Sequence, residues 1–434
     1  METDNRISVP VPKDRVFHLL EHESFKPEHL AYIASLELNF QGPCYESEPK
    51  YLGITPDFKA SYYIGAAWLT FDKAVVVTPK MVNIDFVRMF MSALRFAPSS
   101  SYFPKFYGIS FSKPKIESEK LDNILTPLLI IHFLVSVNRL LEKGLKKGYV
   151  IREENLHTKI KGKILLSKHY SKNLVNGRSD RVMCAYEEYS TNIPENRLIK
   201  RALLFAQRTI SIFPAMQKHQ IYPPGGFSDR SKALSAFEGV QADVDISSVR
   251  KVRMNKLFGE YGVVVNLAKQ LLKRYDYSID NVGNEKNWVP PFWIDMARLY
   301  EVYVYSLLYN AYPGQIKFQV GGYYGTAVDF LKMDERLIMD AKYKPRYEYS
   351  DAGCLDDIRE ISGYARDEYI LNELGTLEHD EVPKCLIIYP IMDDHILVNA
   401  ALERGKPLLS EATSIRGFRN FYKICIPVPV VDRR

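Results

Sequence analysis

Two carboxylates and a lysine near the C-terminal third of the chain have the types and spacing that metal-assisted hydrolysis requires. They lie in the segment AVDFLKMDERLIMDAKYK, residues 327–344. Val328 to Leu331 is a short apolar run, residues 333–336 form a polar turn, and Leu337 to Tyr343 reads as a strand. Strand alternation puts Ile338, Asp340 and Lys342 on one face and Leu337, Met339, Ala341 and Tyr343 on the other, so one face is apolar and the other carries an acid and a base. The hairpin brings Asp329 towards Asp340. Cleaving a phosphodiester requires a deprotonated water and a counterweight to the negative charge that gathers in the transition state. Hard oxygen ligands holding Mg²⁺ meet both needs. Asp329, Asp340 and the carbonyl of Ala341 would supply such ligands, and Lys342 would orient the water or neutralise charge. An acid-x-Lys pattern is nevertheless short and built of common residues, and an ordinary strand-edge ion pair gives the same letters. The flanking elements have to decide.

Trp293 to Leu308 is apolar around most of a helical circumference. Glu301 shares a stripe there with Ala297, Val304 and Leu308, so its carboxylate points among apolar groups. An unpaired charge is costly in that setting, and either a metal or a tyrosine or arginine partner would compensate it. Beyond the hairpin, Asp356 and Asp357 are placed to cap a helix running to Asp367, on which Glu360 and Tyr364 stand one turn apart. An apolar strand, Cys385 to Tyr389, follows. The order is helix with Glu301, strand with Asp329, strand with Asp340 and Lys342, helix with Glu360 and Tyr364, strand. These five elements follow the αβββαβ order of the PD-(D/E)xK nuclease core, short of one of its three central strands.

The segment DAKYK, the helix pattern from Asp357 to Ala365 and a strand ending in Tyr389-Pro390 together resemble the nuclease domain of McrC, the cleavage subunit of McrBC restriction systems. Residues 65–80 (GAAWLTFDKAVVVTPK) look like the family's N-terminal strand pair. Residues 161–164 (KGKI) and 186–203 (YEEYSTNIPENRLIKRAL) look like its middle region. Two positions depart from the pattern. Val328 precedes the first acid where the superfamily name has proline, and Glu360 stands where many relatives carry glutamine. An extra acid near a metal repels phosphate unless it binds the metal or pairs with a base.

Composition agrees with this reading without selecting it. A chain of 434 residues has room for two or three domains. Lys and Arg number 58 against 52 Asp and Glu, so the net charge of +6 confines any nucleic-acid surface to a local patch. Cys44, Cys184, Cys354, Cys385 and Cys425 form no C-x-x-C pair, which fits reduced thiols in a cytoplasmic protein without structural zinc. The apolar run Ile124 to Val137 is too short to span a bilayer, and METDNRISVP lacks the layout of a signal peptide. No membrane association is expected.

The spacing predicts an α+β, multidomain chain. Residues 1–112 form a β-rich module, with strands at Tyr62 to Leu69 and Ala74 to Val77 and a helix near Phe86 to Leu94. Residues 113–283 form a mainly helical region, and 284–434 the PD-(D/E)xK restriction-endonuclease-like α/β core. In the middle region one buried helix runs from Ile124 to Lys147, ending in Lys143, Lys146 and Lys147, which favour the helix dipole. A second runs from Glu195 to Phe213 behind Pro194, with Leu198, Ala202, Phe205, Ala206 and Thr209 inward. Arg197, Lys200, Arg201 and Arg208 then face solvent or a partner. Tyr222 to Lys232 is a loop, Asn281 to Pro291 a linker, and Ser247 to Lys256 a basic segment that is either solvated surface or a contact for phosphates or an acidic partner.

No GxxxxGK[ST] loop occurs, so the chain itself is not expected to bind a nucleotide. The McrC resemblance implies a GTP-hydrolysing AAA+ hexamer of McrB type as partner, with residues 1 to about 280 docking in its ring and stimulating it. It also implies Mg²⁺, with Mn²⁺ as the alternative, and double-stranded DNA carrying a methylated or otherwise modified base as substrate. On these grounds the candidate catalytic residues are Asp329, Asp340, Lys342, Glu301, Glu360 and Tyr364. Asp329, Asp340, Glu301 and the Ala341 carbonyl are the candidate metal ligands. Two other classes share the core: a non-catalytic adaptor that activates an AAA+ NTPase, and a stand-alone nuclease.

Overall fold

The computed structural model describes residues 15–36, 38, 49–81, 83–96, 106–110, 113–212, 234–249, 259–276, 288–344, 351–377, 382–391, 402 and 406–430. The expected loop at 222–232, most of the basic segment at 247–256 and much of the linker at 281–291 lie outside these. The fold is a mixed α/β one with several sheets, in two units: residues 1–128 with 284–434, and residues 129–283.

The chain opens with β1 (Val16–Leu20), α1 (Pro27–Ser35), β2 (Tyr63–Trp68), β3 (Ala74–Thr78), α2 (Phe86–Phe96), β4 (Tyr107–Ile109), β5 (Ile116–Glu117) and α3 (Glu119–Glu142). The second unit then provides β6 (Gly148–His157), β7 (Lys163–Ile164), α4 (Leu166–His169), β8 (Arg181–Ser190), α5 (Pro194–Ile212) and α6 (Gly259–Asp276). Returning to the first unit come β9 (Trp288–Val289), β10 (Phe292–Asp295), α7 (Met296–Ala311), β11 (Ile316–Gly321), β12 (Ala327–Lys332) and β13 (Leu337–Ala341). The chain finishes with α8 (Leu355–Tyr364), α9 (Glu368–Leu374), β14 (Lys384–Ile391), β15 (Thr413–Ser414) and β16 (Phe421–Pro427).

A five-stranded sheet in the order β1-β3-β2-β10-β4 draws its fourth strand from beyond residue 284. β10 lies antiparallel between β2 and β4, with Phe292 and Ile294 buried. Gly65 of β2 has φ +138°, and a Cβ there would sit 2.1 Å from the carbonyl oxygen of Phe292, so only glycine allows this approach. The helix expected from Trp293 to Leu308 therefore starts later. Pro290 and Pro291 favour extended backbone, the next four residues pair as a strand, and Asp295 then caps α7 by accepting the Arg298 N–H at 3.0 Å.

α3 is longer at its start and shorter at its end than the spacing suggests. It stops at Glu142, because Gly144 adopts φ +82°, and Lys143, Lys146 and Lys147 fall beyond it. Within it, Ile124–Glu142 is long and apolar enough to cross a membrane by length and composition, further than the run read from sequence. It is 78% buried, as a core helix is. In the second unit β6 and β8 form a ten-residue antiparallel ribbon with β7 on its edge. The stripe on α5 is buried at Leu198, Ala202, Ala206 and Thr209, while Phe205 is half-buried. Three of the four cations expected outside bind backbone or side chains instead. Lys200 donates to the carbonyls of Phe237 (2.9 Å) and Val240 (2.6 Å), Arg201 to that of Val244 (2.9 Å), and Arg197 to Asn192 Oδ1 (2.9 Å). Only Arg208 is exposed.

The six-stranded sheet runs β11-β12-β13-β14-β16-β15, antiparallel through β13 and parallel from β13 to β16. β13 is interior, and both of its faces are buried, not one. Ile358 and Ile361 of α8 cover Ile338, Cys385 and Ile387, while Tyr305 of α7 stacks on Phe318 at 4.4 Å. The turn 333–336 is stapled from inside. Lys332, 1% exposed, pairs with Asp334 at 2.6 Å and Glu335 at 2.9 Å and lies 4.2 Å from the Tyr312 ring. Cys184, Cys354, Cys385 and Cys425 form no disulfide.

Candidate active site

Strand register assembles the site. Phe330 pairs with Met339, so the next step towards the sheet end sets Asp329 opposite Asp340. Phe318 pairs with Phe330 and Val320 with Val328, which sets Gln319 opposite Asp329 on the other side. Gln319, Asp329 and Asp340 thus form one row across three strands. Gln319 breaks the ladder locally with φ +52°, a conformation costly for a residue with a Cβ, and its amide donates to Glu301 Oε1 on α7. Asp329 Oδ2 accepts the Ala341 N–H at 2.8 Å. This bond fixes the first acid to the strand that carries the second.

Lys342 closes the other side of the row. Its Nζ lies 2.7 Å from Asp340 Oδ2 and donates to Glu360 Oε2 at 2.8 Å, while Tyr364 donates to Glu360 Oε1 at 3.1 Å. Asp357 of α8, expected as a helix cap, is buried and takes Lys344 at 2.8 Å. Residue 354 occupies the cap position, and its side chain does not cap the helix. The six candidate residues are therefore brought together, Glu301 through Gln319 and Tyr364 through Glu360. Gln319, Asp357 and Lys344 were missed from sequence. Lys344 repeats the strand's alternation one step beyond Lys342, a usable signal for it. Gln319 offers none, because its place depends on the positive φ.

The charges are poorly balanced on the acid side. Burial, then Glu301 and Asp340, push Asp329 well above the usual carboxylate range against the pull of the Ala341 N–H. Burial also raises Asp340, with Lys342 opposing and Glu360 adding to the rise. Glu301 is pushed up to about 7, first by burial, while the Gln319 bond and Arg298 resist and Asp340 adds. On the base side, burial works against the Lys342 ammonium, but Asp340 and Glu360 outweigh it and keep the group protonated. Burial likewise opposes the Glu360 carboxylate, yet Lys342, Tyr364 and Lys344 hold it below its ordinary value.

A divalent cation fits the acid side. Asp340 Oδ2 is buried and, although the Lys342 ammonium lies 2.7 Å away, makes no well-formed hydrogen bond. Three mutually repelling carboxyl groups and a backbone carbonyl are hard oxygen donors. Among the described residues, no three His, Cys, Asp or Glu side chains stand together as a ready-made cage. A bound ion would thus keep water ligands, as Mg²⁺ ordinarily does.

No curated protein matches the sequence. The chain is similar to McrC-bound McrB AAA+ hexamers of Thermococcus gammatolerans in a refined half-complex from a tetradecameric assembly, at 15% identity, 96% and 95% coverage of the two chains and a TM-score of 0.37. A second structure, the T. gammatolerans McrBC complex determined by cryo-EM, matches at 15% identity over 68% of this chain and 87% of that one, with a TM-score of 0.29. The model of one family, the McrBC 5-methylcytosine restriction system component, matches residues 58–358, a span that starts in the first sheet and runs through Asp329, Asp340 and Lys342 into α8. By that match, over well more than half its length, the chain belongs to the McrBC 5-methylcytosine restriction system component family.

Proposed function

We propose that the chain is the DNA endonuclease subunit of a McrBC-type, modification-dependent restriction system, and that its six-stranded sheet with α7 and α8 is a PD-(D/E)xK catalytic core. The observation that carries this reading is the row of Asp329 and Asp340 across two paired strands, with Lys342 2.7 Å from Asp340. A sheet interior has no structural need for two mutually repelling acids.

Asp329, Asp340 and the Ala341 carbonyl would hold Mg²⁺ or Mn²⁺, with Glu301 close behind them. When bound, the ion lowers the pKa of a water and offsets charge on the phosphate. The chain's own groups do the remainder. Lys342 stays protonated and so acts as an electrostatic and hydrogen-bonding group towards the phosphate or the attacking water, not as a proton acceptor. Glu360, tied to Lys342 and Tyr364, fixes the direction of that ammonium. Pairing with the base also answers the repulsion that an extra acid would exert on phosphate.

The partner in this reading is a GTP-hydrolysing AAA+ ring of McrB type. The connection between β6 and β8 supports it, because Ile160, Leu166, Tyr170, Leu174 and Val175 there are exposed, as are Lys161, Lys168 and Lys172, a surface suited to docking. The test is cleavage of methylated plasmid by the full chain with such a partner, GTP and Mg²⁺. Loss of cutting in Asp329→Asn and Lys342→Ala, with GTPase stimulation retained, is the expected result. Equal cutting by either variant refutes the catalytic assignment.

A further inference from the structure

Three exposed tyrosines meet where the polypeptide leaves the reactive row in two directions. Running back from Asp329 along β12, the chain reaches the turn Gly321-Gly322-Tyr323-Tyr324-Gly325 that joins β11 to β12. Running forward from Tyr364 off α8, it reaches Asp367 and Tyr369 at the start of α9. These two paths converge. Tyr323 donates its N–H to Asp367 Oδ2 at 2.8 Å, and the Tyr323 ring lies 5.4 Å from that of Tyr369 and 5.0 Å from that of Tyr324. The rings are 60%, 56% and 89% exposed for Tyr323, Tyr369 and Tyr324.

The turn is built to hold them. Asp367 also caps α9, accepting from the N–H groups of Tyr369 and Ile370, so one carboxylate fixes both halves of the cluster. A Cβ on Gly322 would sit 2.5 Å from Asp367 Oδ2 and 2.6 Å from Thr326 Oγ1, and Gly325 has φ +73°. The backbone is therefore tight and preset. A fixed turn that keeps three large rings together in water gives up their burial, which signals a ligand for their faces.

We propose that this cluster is a stacking platform for the DNA strand that passes through the candidate active site, with Tyr324 meeting a nucleobase a few nucleotides from the scissile phosphate. The inference rests on the endonuclease reading and extends it to how substrate is held. Tyr324 is five residues from Asp329, and because β12 begins only at Ala327 and Gly325 turns with φ +73°, the separation is at most the roughly 16 Å of a fully extended chain, or about five nucleotides of one DNA strand. The exposed groups are all tyrosines, whose flat faces stack on any base and whose hydroxyls tolerate water. Glycines on both sides of the pair let the turn come close to a sugar-phosphate backbone.

The experiment uses the full chain carrying Asp340→Asn, so that DNA stays intact, and a short DNA with 5-iodouracil placed at successive positions, as duplex and as single strand, at low salt. Irradiation is expected to cross-link the tryptic peptide Phe318 to Lys332, which contains both turn tyrosines. Tyr324→Ala is expected to weaken binding about tenfold or more, and Tyr324→Phe to retain it. The exposure of Tyr324 makes misfolding of these variants a matter that circular dichroism decides. Cross-links found only elsewhere, or unchanged affinity in folded Tyr324→Ala, overturn the proposal. So does an effect of Tyr324→Ala confined to binding of the AAA+ partner, which assigns the rings to a protein surface. Failure of the endonuclease reading shows separately, as normal cutting by Asp340→Asn.

Discussion

Asp340→Asn tests the site most directly, because it removes one charge while leaving the neighbourhood nearly isosteric. Lys342 has two anionic neighbours, Asp340 at 2.7 Å and Glu360 at 2.8 Å, so the second still holds the ammonium after the first is neutralised. Asp329 keeps its bond to the Ala341 N–H. The geometry therefore survives, and any loss of cutting reports on the missing carboxylate. Removing one group that stabilises transition-state charge lowers rates by about a hundredfold or more, roughly 3 kcal/mol of barrier. Folding should be kept or improved, since burial and neighbouring acids disfavour the ionised form of Asp340. The assay pairs plasmid cleavage, with the AAA+ partner and Mg²⁺ present, with thermal melting of the same preparation. Wild-type cleavage rates refute the reasoning, and a collapse of the melting transition shows that Asp340 holds the fold and not the ion.

Three further outcomes follow from the same geometry. The Glu301 carboxyl titrates near 7 when folded and near 4.5 ordinarily, so its contribution is fully present below about pH 4.5 and is lost as pH rises through 7, on the order of 3 kcal/mol. Melts in chelator from pH 5 to 8 should fall accordingly, and Mg²⁺ at about pH 8 should restore stability in wild type and less in Asp340→Asn; flat melts with no metal shift contradict this. Lys332→Ala leaves Glu335 and Asp334 without their buried cation and should cost about 3 kcal/mol in urea denaturation, an unchanged midpoint being the contrary result. With a net charge of only +6, the chain without its partner should bind duplex DNA weakly and with a steep salt slope, and salt-insensitive, site-specific cutting would favour a stand-alone nuclease.

The hairpin was legible in the sequence because its information is local. Counting through the turn 333–336 is enough to set Asp329 against Asp340, and the register agrees. Alternation also placed Lys342 beside Asp340, but it could not tell that β13 is interior, since that depends on β14 pairing from more than forty residues away. Apolar content misled at Trp293, where a buried strand and a buried helix look alike until Asp295 caps the latter. Lys200 and Arg201 of α5 read as facing solvent or a partner because what they bind are carbonyls of residues 237–244, groups that every sequence carries and no pattern marks. Gln319 was invisible for a similar reason. Its contact with Glu301 rests on a backbone angle, not on residue type.

The origin of β10 has a consequence for genetic dissection. A gene cut at residue 283 looks like a clean separation of an N-terminal fragment from the part bearing the reactive acids, yet it leaves β2 and β4 without the strand that lies between them. Phe292 and Ile294 would then be missing from the core of one fragment and stranded at the start of the other. Two raw sheet edges in the shorter piece invite aggregation. Such a truncation is a folding mutant before it is a nuclease mutant, and co-expression of the two halves, which lets β10 pair across the break, is the dissection that this chain permits.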